Sequence, residues 1–364
     1  MKNSLLALWA LGAALAGAGC GGDGPTGDTG LGGDCVTEVL VGDFVVRSDE
    51  DAEALERRGG CAYAIVGSLE ITQVSRKGFD GLDRLNAVTG TVRIHDNEDL
   101  EGFSGLKDLG TVDGDISLYD NENLVDLEGL SFLHTVSGDV GVFRNDRLEH
   151  IDGLLKLETV GGDVRVNNNN RLAQVDGLFS LENVSGSLRL EFNPSVELVE
   201  DMSHLRRVGG DLVIQDNRGL ERIEDMSGLE EVGGDLNIGR NAALDFVEDV
   251  SGLRTVGGDL NIFGNDELTS VEGLSGLVEV GGALNIHNNE KLTQLEGLEG
   301  LERVGVDLNI YDNARLSGLG GIGNLRGVGG KVFIVDNDNL PTAEAEALAE
   351  RAGGAETVVE GNKD

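Results

Sequence analysis

The chain has 364 residues, of which 57 are Gly and only 4% are aromatic, and its formal charge is −38. So acidic a surface repels nucleic acid and anionic lipid, which removes a nucleic-acid partner from consideration. Scarce aromatics and abundant Gly disfavour a conventional globular core and suit stacked turns, where Gly supplies positive φ.

The N-terminus reads as a targeting segment and not as structure. Lys2 precedes an apolar stretch over residues 5–16, too short to span a bilayer. Gly-Ala-Gly then leads to Cys20. Residues 1–19 resemble a bacterial lipoprotein signal, in which a Cys after small residues is lipidated. The match departs at Gly17, where such signals usually carry Leu. A plain signal peptide cut after Ala16 or Ala18 is the alternative. The three cysteines are Cys20, Cys35 and Cys61. An exported protein readily pairs Cys35 with Cys61, and lipidation accounts for the odd Cys20. Residues 20–34 form a flexible Gly-rich tether. The expected address is the cell envelope, as an outer-membrane lipoprotein that meets the membrane through its lipid anchor only.

A short helix is predicted over Glu50–Arg58, inside an N-terminal cap spanning 35–66. Beyond it the chain repeats. An Asn recurs eleven times at a strict spacing of 24, from Asn97 to Asn337. Seven apolar columns accompany it, at −5, −3, +3, +6, +9, +12 and +15 from each Asn. Gly stands at −7 in every one of these coils except where Val306 replaces it. A repeat of this length and regularity means a solenoid. The alternation at −5 and −3 marks a short strand with two side chains pointing in. The later columns, three apart, suit a coil turning corners around a core. The repeated Asn follows the strand, where its tolerance of unusual backbone angles and its amide both suit a turn, and stacked amides can bond between coils. Standard leucine-rich horseshoes place apolar residues at −8, −5 and −3 from their Asn. Here the first of these falls at −9. The expected fold is therefore all-β: a right-handed β-helix of about twelve 24-residue coils over 67–341, roughly 60 Å long at strand spacing. A helical cap over 342–353 follows Pro341, with Thr342 at its N-cap, and 354–364 read as a disordered tail.

The first coil carries a family resemblance. Cys61 opens the segment CAYAIVGSLEITQV, preceded by GDFVVRSDEDAEALERRGG. This resembles the opening of the receptor L domain, the ligand-binding β-helix of insulin- and EGF-type receptors. In that family an early Cys bridges to the Cys before a G-x-L-x-I strand. Cys35 and Cys61 match that pair, and Gly67, Leu69 and Ile71 match the strand. The resemblance covers roughly 35–353. It implies a binding surface on a sheet face. The array is longer than is usual in that family, and no cysteine-rich or kinase module follows, so hormone signalling is not implied.

The sequence offers little chemistry. The five His fall in several columns on distant coils, and no metal-ligand pair, nucleophile elbow or phosphate loop stands out. Two departures from the repeat are weighed. Three consecutive coils carry Glu200–Asp201, Glu224–Asp225 and Glu248–Asp249 where others read Asp/Glu-Gly. Six stacked carboxylates would suit calcium, the one cofactor considered; the simpler account is that Asp replaces Gly in a tight turn. The second departure lies on the outward face of the strand. Position −2 carries His95, Tyr119 and Phe143, then later Phe263, His287 and Tyr311, the later group flanked at −4 by Asn237, Asn261, Asn285 and Asn309. That combination is a candidate binding surface, although β-propensity alone also favours aromatics there. The expected function is a non-catalytic envelope protein binding a protein or polysaccharide at the cell surface. A structural spacer is the alternative, and a β-helical carbohydrate enzyme a more distant one.

Overall fold

The structure, a computed structural model, describes residues 37–364. Cys20, Cys35, the signal segment and the tether lie outside the described residues. The described chain winds as a parallel β-helix. One face is a 14-stranded sheet from Phe44–Val46 to Glu356–Glu360, and another a 13-stranded sheet from Thr37–Val41 to Gly327–Val328. A third side carries shorter elements: a four-stranded sheet, a two-stranded sheet and single 3-10 turns such as Glu128–Leu130 and Glu272–Leu274. The apolar columns fill the space between, and residues such as Leu260, Ile262, Leu268, Val271, Leu274, Leu277 and Val280 are buried.

Register follows the repeat. Ile116 pairs with Val140 and Leu284 with Leu308, each 24 residues apart. Near the N-terminus the offset drops to 23, where Leu69 pairs with Val92. This accommodates a residue missing from the second coil. At both ends it is 25, as in Phe44 with Leu69 and Val332 with Thr357.

The repeated Asn is wholly internal, at most 1% exposed from Asn97 to Asn337. Asn145 shows the arrangement. Its Oδ1 accepts the Asn121 backbone N–H at 3.2 Å, and its Nδ2 donates to the Leu118 carbonyl at 3.0 Å. Each amide thus satisfies two backbone groups of the preceding coil that would otherwise be buried without partners. Leaving one such group unpaired costs about 1–3 kcal/mol. The unusual backbone angle belongs to the residue before the Asn. Asp120, Arg144, Asn168 and Phe192 have φ of 54°, 55°, 57° and 56°. The Asn therefore supplies the amide, and its predecessor makes the left-handed turn.

A second ladder went unread in the sequence. The Asp at −6 accepts the backbone N–H of the same position one coil later: Asp139 N–H to Asp115 Oδ1 at 2.9 Å, Asp163 to Asp139 at 2.8 Å, and Asp259 to Asp235 at 2.7 Å. The Gly at −7 leaves room for that carboxylate and for the backbone of the coil before. A Cβ at Gly258 would lie 2.1 Å from Asp235 Oδ1. One at Gly114, where the preceding coil has Thr91 and no Asp, would still lie 2.6 Å from the Gly90 carbonyl.

Both ends are capped. Helix α1 (Asp49–Gly59) starts at Ser48, whose Oγ accepts the Asp51 N–H at 3.3 Å, while Asp51 accepts the Arg47 N–H at 2.9 Å. The Arg47 N–H, together with the Ser48 hydroxyl donating to the same carboxylate at 3.1 Å, holds the Asp51 carboxyl below its usual pKa. Helix α2 (Thr342–Ala352) buries Ala345, Leu348, Ala349 and Ala352. Two expectations need correction here. Pro341, not Thr342, occupies the N-cap position, and it makes no side-chain cap. The expected disordered tail is ordered instead: Glu356–Glu360 pairs with Lys331–Val335, and Asn362 Oδ1 accepts the Asn337 N–H at 3.2 Å. The physical reason is that the last sheet strand still has open hydrogen-bonding groups, which the tail satisfies. Among the described residues no helix is long and apolar enough to cross a membrane.

Candidate binding face

The 14-stranded sheet alternates as its strand pattern demands. Leu260 and Ile262 are buried, while Asn261 and Phe263 point outward and are partly exposed; the next two strands repeat this. Phe263, His287 and Tyr311 therefore share one outward column. Their ring centroids lie 5.3 and 4.5 Å apart, with planes 20° and 6° from parallel. The stack is closed at both ends. The Phe263 ring leans over Gly239, where a Cβ would come within 2.5 Å of it, and the Arg240 guanidinium lies 5.4 Å from its centroid. Tyr311 meets Phe333 edge-on at 5.9 Å.

This geometry revises what the rings can offer. Their faces pack on one another, so ring edges point to solvent, and a flat apolar ligand has no open ring face along the run. The adjoining amides are better placed for recognition. Asn261 Nδ2 donates to Asn237 Oδ1 at 2.7 Å, Asn285 to Asn261 at 2.6 Å, and Asn309 to Asn285 at 2.7 Å. The ladder is bounded by apolar neighbours, Val213 before Asn237 and Phe333 after Asn309. Each Nδ2 has a second N–H beyond the one used in the ladder. On the far side of the rings lies a shallow depression of about 710 Å³, whose lining includes Asp266, Glu290, Asp312, Asp336 and Asp338. Lys291 and Arg315 share it, and Lys291 is paired with Glu267. Burial pushes the His287 pKa down, partly opposed by Asp312, and pushes the Tyr311 pKa up.

A second stack stands near the N-terminus, with His95–Tyr119 at 4.8 Å and Tyr119–Phe143 at 5.0 Å. Its −4 neighbours are Arg93, Ser117 and Gly141, which make no amide ladder. Between the stacks the −2 column turns polar through Asn167, Glu191 and Gln215.

The acidic coils turn differently from most others. Asp201, Asp225 and Asp249 all have positive φ, at 59°, 57° and 51°. The Gly in the same column elsewhere, such as Gly153 and Gly177, has no positive φ and is held by close approach to the carbonyls of Leu127 and Ile151, so Asp makes a left-handed turn and does not merely stand in for Gly. The Asp carbonyls serve the coil before: Met202 N–H donates to Asp225 O and Met226 N–H to Asp249 O, both at 3.1 Å. Glu224 lies 3.6 Å from Arg222. Burial raises the Glu200 pKa, with Asp201 and Glu224 adding to it. Glu200, Asp201, Glu224, Asp225, Glu248 and Asp249 are not gathered into a calcium-holding group: among the described residues no cluster of three or more His, Cys, Asp or Glu is placed to hold a metal ion.

The chain matches no protein-family model and no curated protein.

Proposed function

We propose that this chain is a non-catalytic cell-envelope protein, lipid-anchored through Cys20, whose receptor L-domain-like β-helix binds a protein or glycan on the face around Phe263, His287 and Tyr311. One observation carries this reading: four identical amides run beside a closed ring stack, on a face whose outward residues otherwise change from coil to coil. Side chains already locked by one another lose little entropy when a ligand arrives. A second reading, a structural spacer, draws support from the Asn ladder, which couples each coil to the next from Asn97 to Asn362.

The two readings separate by substitution. Phe263, His287 and Tyr311 together changed to Ser leave every core column untouched. Circular dichroism should be preserved, while species captured from envelope extract by the native protein should be lost. Unchanged capture by a folded variant refutes the binding reading and leaves the spacer. The anchor is tested separately: Cys20→Ala should release the protein from the membrane fraction, and a variant that stays there with no lipid mass on the native protein removes that part.

A further inference from the structure

Building on the proposed binding face, we infer that its ligand is a linear polysaccharide without acidic groups, laid along the solenoid axis with one sugar unit per coil. Asn237, Asn261, Asn285 and Asn309 present the same group at the same place in each coil, and the last three are each held by the one before. Successive coils stand about 4.8 Å apart. A surface of identical donors at one fixed spacing is best matched by a ligand that repeats at that spacing. A folded protein epitope has no such period.

Extended peptides fit less well. In a β-strand, side chains on one face recur about every 6.6 Å, so they drift out of step with the coils after one or two. A polyproline II segment recurs about every 9.3 Å, which meets only alternate coils. In an extended, equatorially linked chain each sugar unit advances by close to one coil. Alternate units turn opposite edges, and both edges carry oxygens, so every amide meets an acceptor, hydroxyl on one unit and ring or hydroxymethyl oxygen on the next. Those oxygens can accept the second Nδ2 hydrogen, the one the ladder leaves over. The outward ring edges of Phe263, His287 and Tyr311 then form a low wall along one side of the track and keep water from that side of the chain.

Charge narrows the class. The protein carries −38, and in the depression beside the rings Asp266, Glu290, Asp312, Asp336 and Asp338 outnumber Lys291 and Arg315. A polyuronate would be repelled along its whole length. Neutral chains are tolerated, and amino sugars are attracted.

The test uses oligosaccharides of two to six units in three series: β-linked glucose, β-linked glucosamine, and a uronic acid. Affinity should rise several-fold per unit through four units, matching the four amides, and then level off. The uronic series should not bind. Asn261→Ser, Asn285→Ser and Asn309→Ser together should weaken the tetramer at least tenfold, whereas His95→Ser, Tyr119→Ser and Phe143→Ser together should change nothing. Circular dichroism and the melting temperature verify that both variants fold. The inference is overturned by absence of binding in the glucose and glucosamine series, by affinity that ignores chain length, or by equal binding of the uronic series. If the ring variant loses captured species from envelope extract while no oligosaccharide binds, the binding face stands and only its polysaccharide ligand is wrong. A basic peptide that binds and depends on the same three Asn would likewise replace the glycan without removing the face.

Discussion

Replacing Ala283 with Asp should destabilise the protein alone and stabilise it once Val306 is also changed to Gly. Ala283 interrupts the Asp ladder: Asp259 Oδ1 accepts the Ala283 N–H at 2.7 Å and Asp307 Oδ1 the Lys331 N–H at 2.7 Å, but Ala283 has no oxygen to offer Asp307. One coil on, Val306 fills the column that is otherwise Gly. The two departures explain each other. A Cβ at Gly282 would stand 2.2 Å from Asp259 Oδ1, and one at Gly330 would stand 2.1 Å from Asp307 Oδ1. Val is tolerated at 306 because the carboxylate below it is missing. Asp at 283 would drive its Oδ1 into Val306, an overpacking of about 1–3 kcal/mol. With Gly at 306 the same oxygen accepts the Asp307 N–H, a bond to an ionised group contributing about 1.5–3 kcal/mol. The added Gly flexibility offsets about 0.5–1 kcal/mol of this. The coupling across the double-mutant cycle should then be about 2 kcal/mol or more. Urea unfolding of the four proteins measures it, and slowed amide exchange at residue 307 in the double variant locates it. Ala283→Asn in the Val306→Gly background retains the acceptor without the charge and should recover part of the gain. Additivity within about 0.5 kcal/mol would refute the reasoning.

Three further outcomes follow from the same geometry. Asn241→Ala strips the partner from the Asn217 N–H and the Ile214 carbonyl; at about 1–3 kcal/mol for each buried group, the loss should reach about 3–5 kcal/mol in chemical unfolding. His287 titrates below its ordinary 6.5 in the folded protein because it is partly buried. The unfolded chain therefore binds the proton first, so this contribution is complete above about pH 6.5 and is lost as pH falls toward the folded pKa. The melting temperature of the native protein should fall more steeply than that of His287→Phe between pH 7 and pH 5, and parallel curves would deny the shift. The expected Cys35–Cys61 bridge closes a loop of about 27 residues, worth about 3–4 kcal/mol in the chain-entropy model; non-reducing peptide mapping of exported protein should find the linked pair, and two alkylated thiols would remove it.

The coil was legible because its core is periodic. The short strand with its inward pair at −5 and −3, which spans −5 to −2 as in Leu260–Phe263, and the column spacing follow from apolar positions that cannot be exchanged with polar ones. The outward placement of Phe263, His287 and Tyr311 came from the same parity. The features that escaped depend on neighbours 22 to 25 residues away. The Asp ladder was visible as a recurring Gly-Gly-Asp, but that string also reads as a plain turn, and only stacking shows which oxygen meets which N–H. Phe333 closes the ring stack from the −4 column, a diagonal contact that a column-by-column reading does not reach. The terminal strand was missed because ETVVE is short and lies past a helix, outside the 24-residue frame. Asn362, 25 residues beyond Asn337, was the signal that the ladder continued.

The outward −4 column shows where the coil leaves freedom and where that freedom goes unused. Inward positions must repeat, because each packs on its copies above and below. The −4 position has no such demand: it runs Arg93, Ser117, Gly141, Arg165, Arg189, Val213, and the sheet tolerates all of them. Four consecutive Asn then follow. Their mutual bonds supply part of the reason, since one amide beside another satisfies both, and an isolated Asn among Arg and Ser would gain nothing from the ladder. Stability therefore favours a run once it has begun, but does not favour Asn over the other residues this column accepts. A paired amide row whose ladder leaves one N–H per coil over is a different surface from a row of Thr or Arg: uncharged and of one period. On a molecule carrying −38, that strip is a run of four outward positions that present amides and no carboxylate.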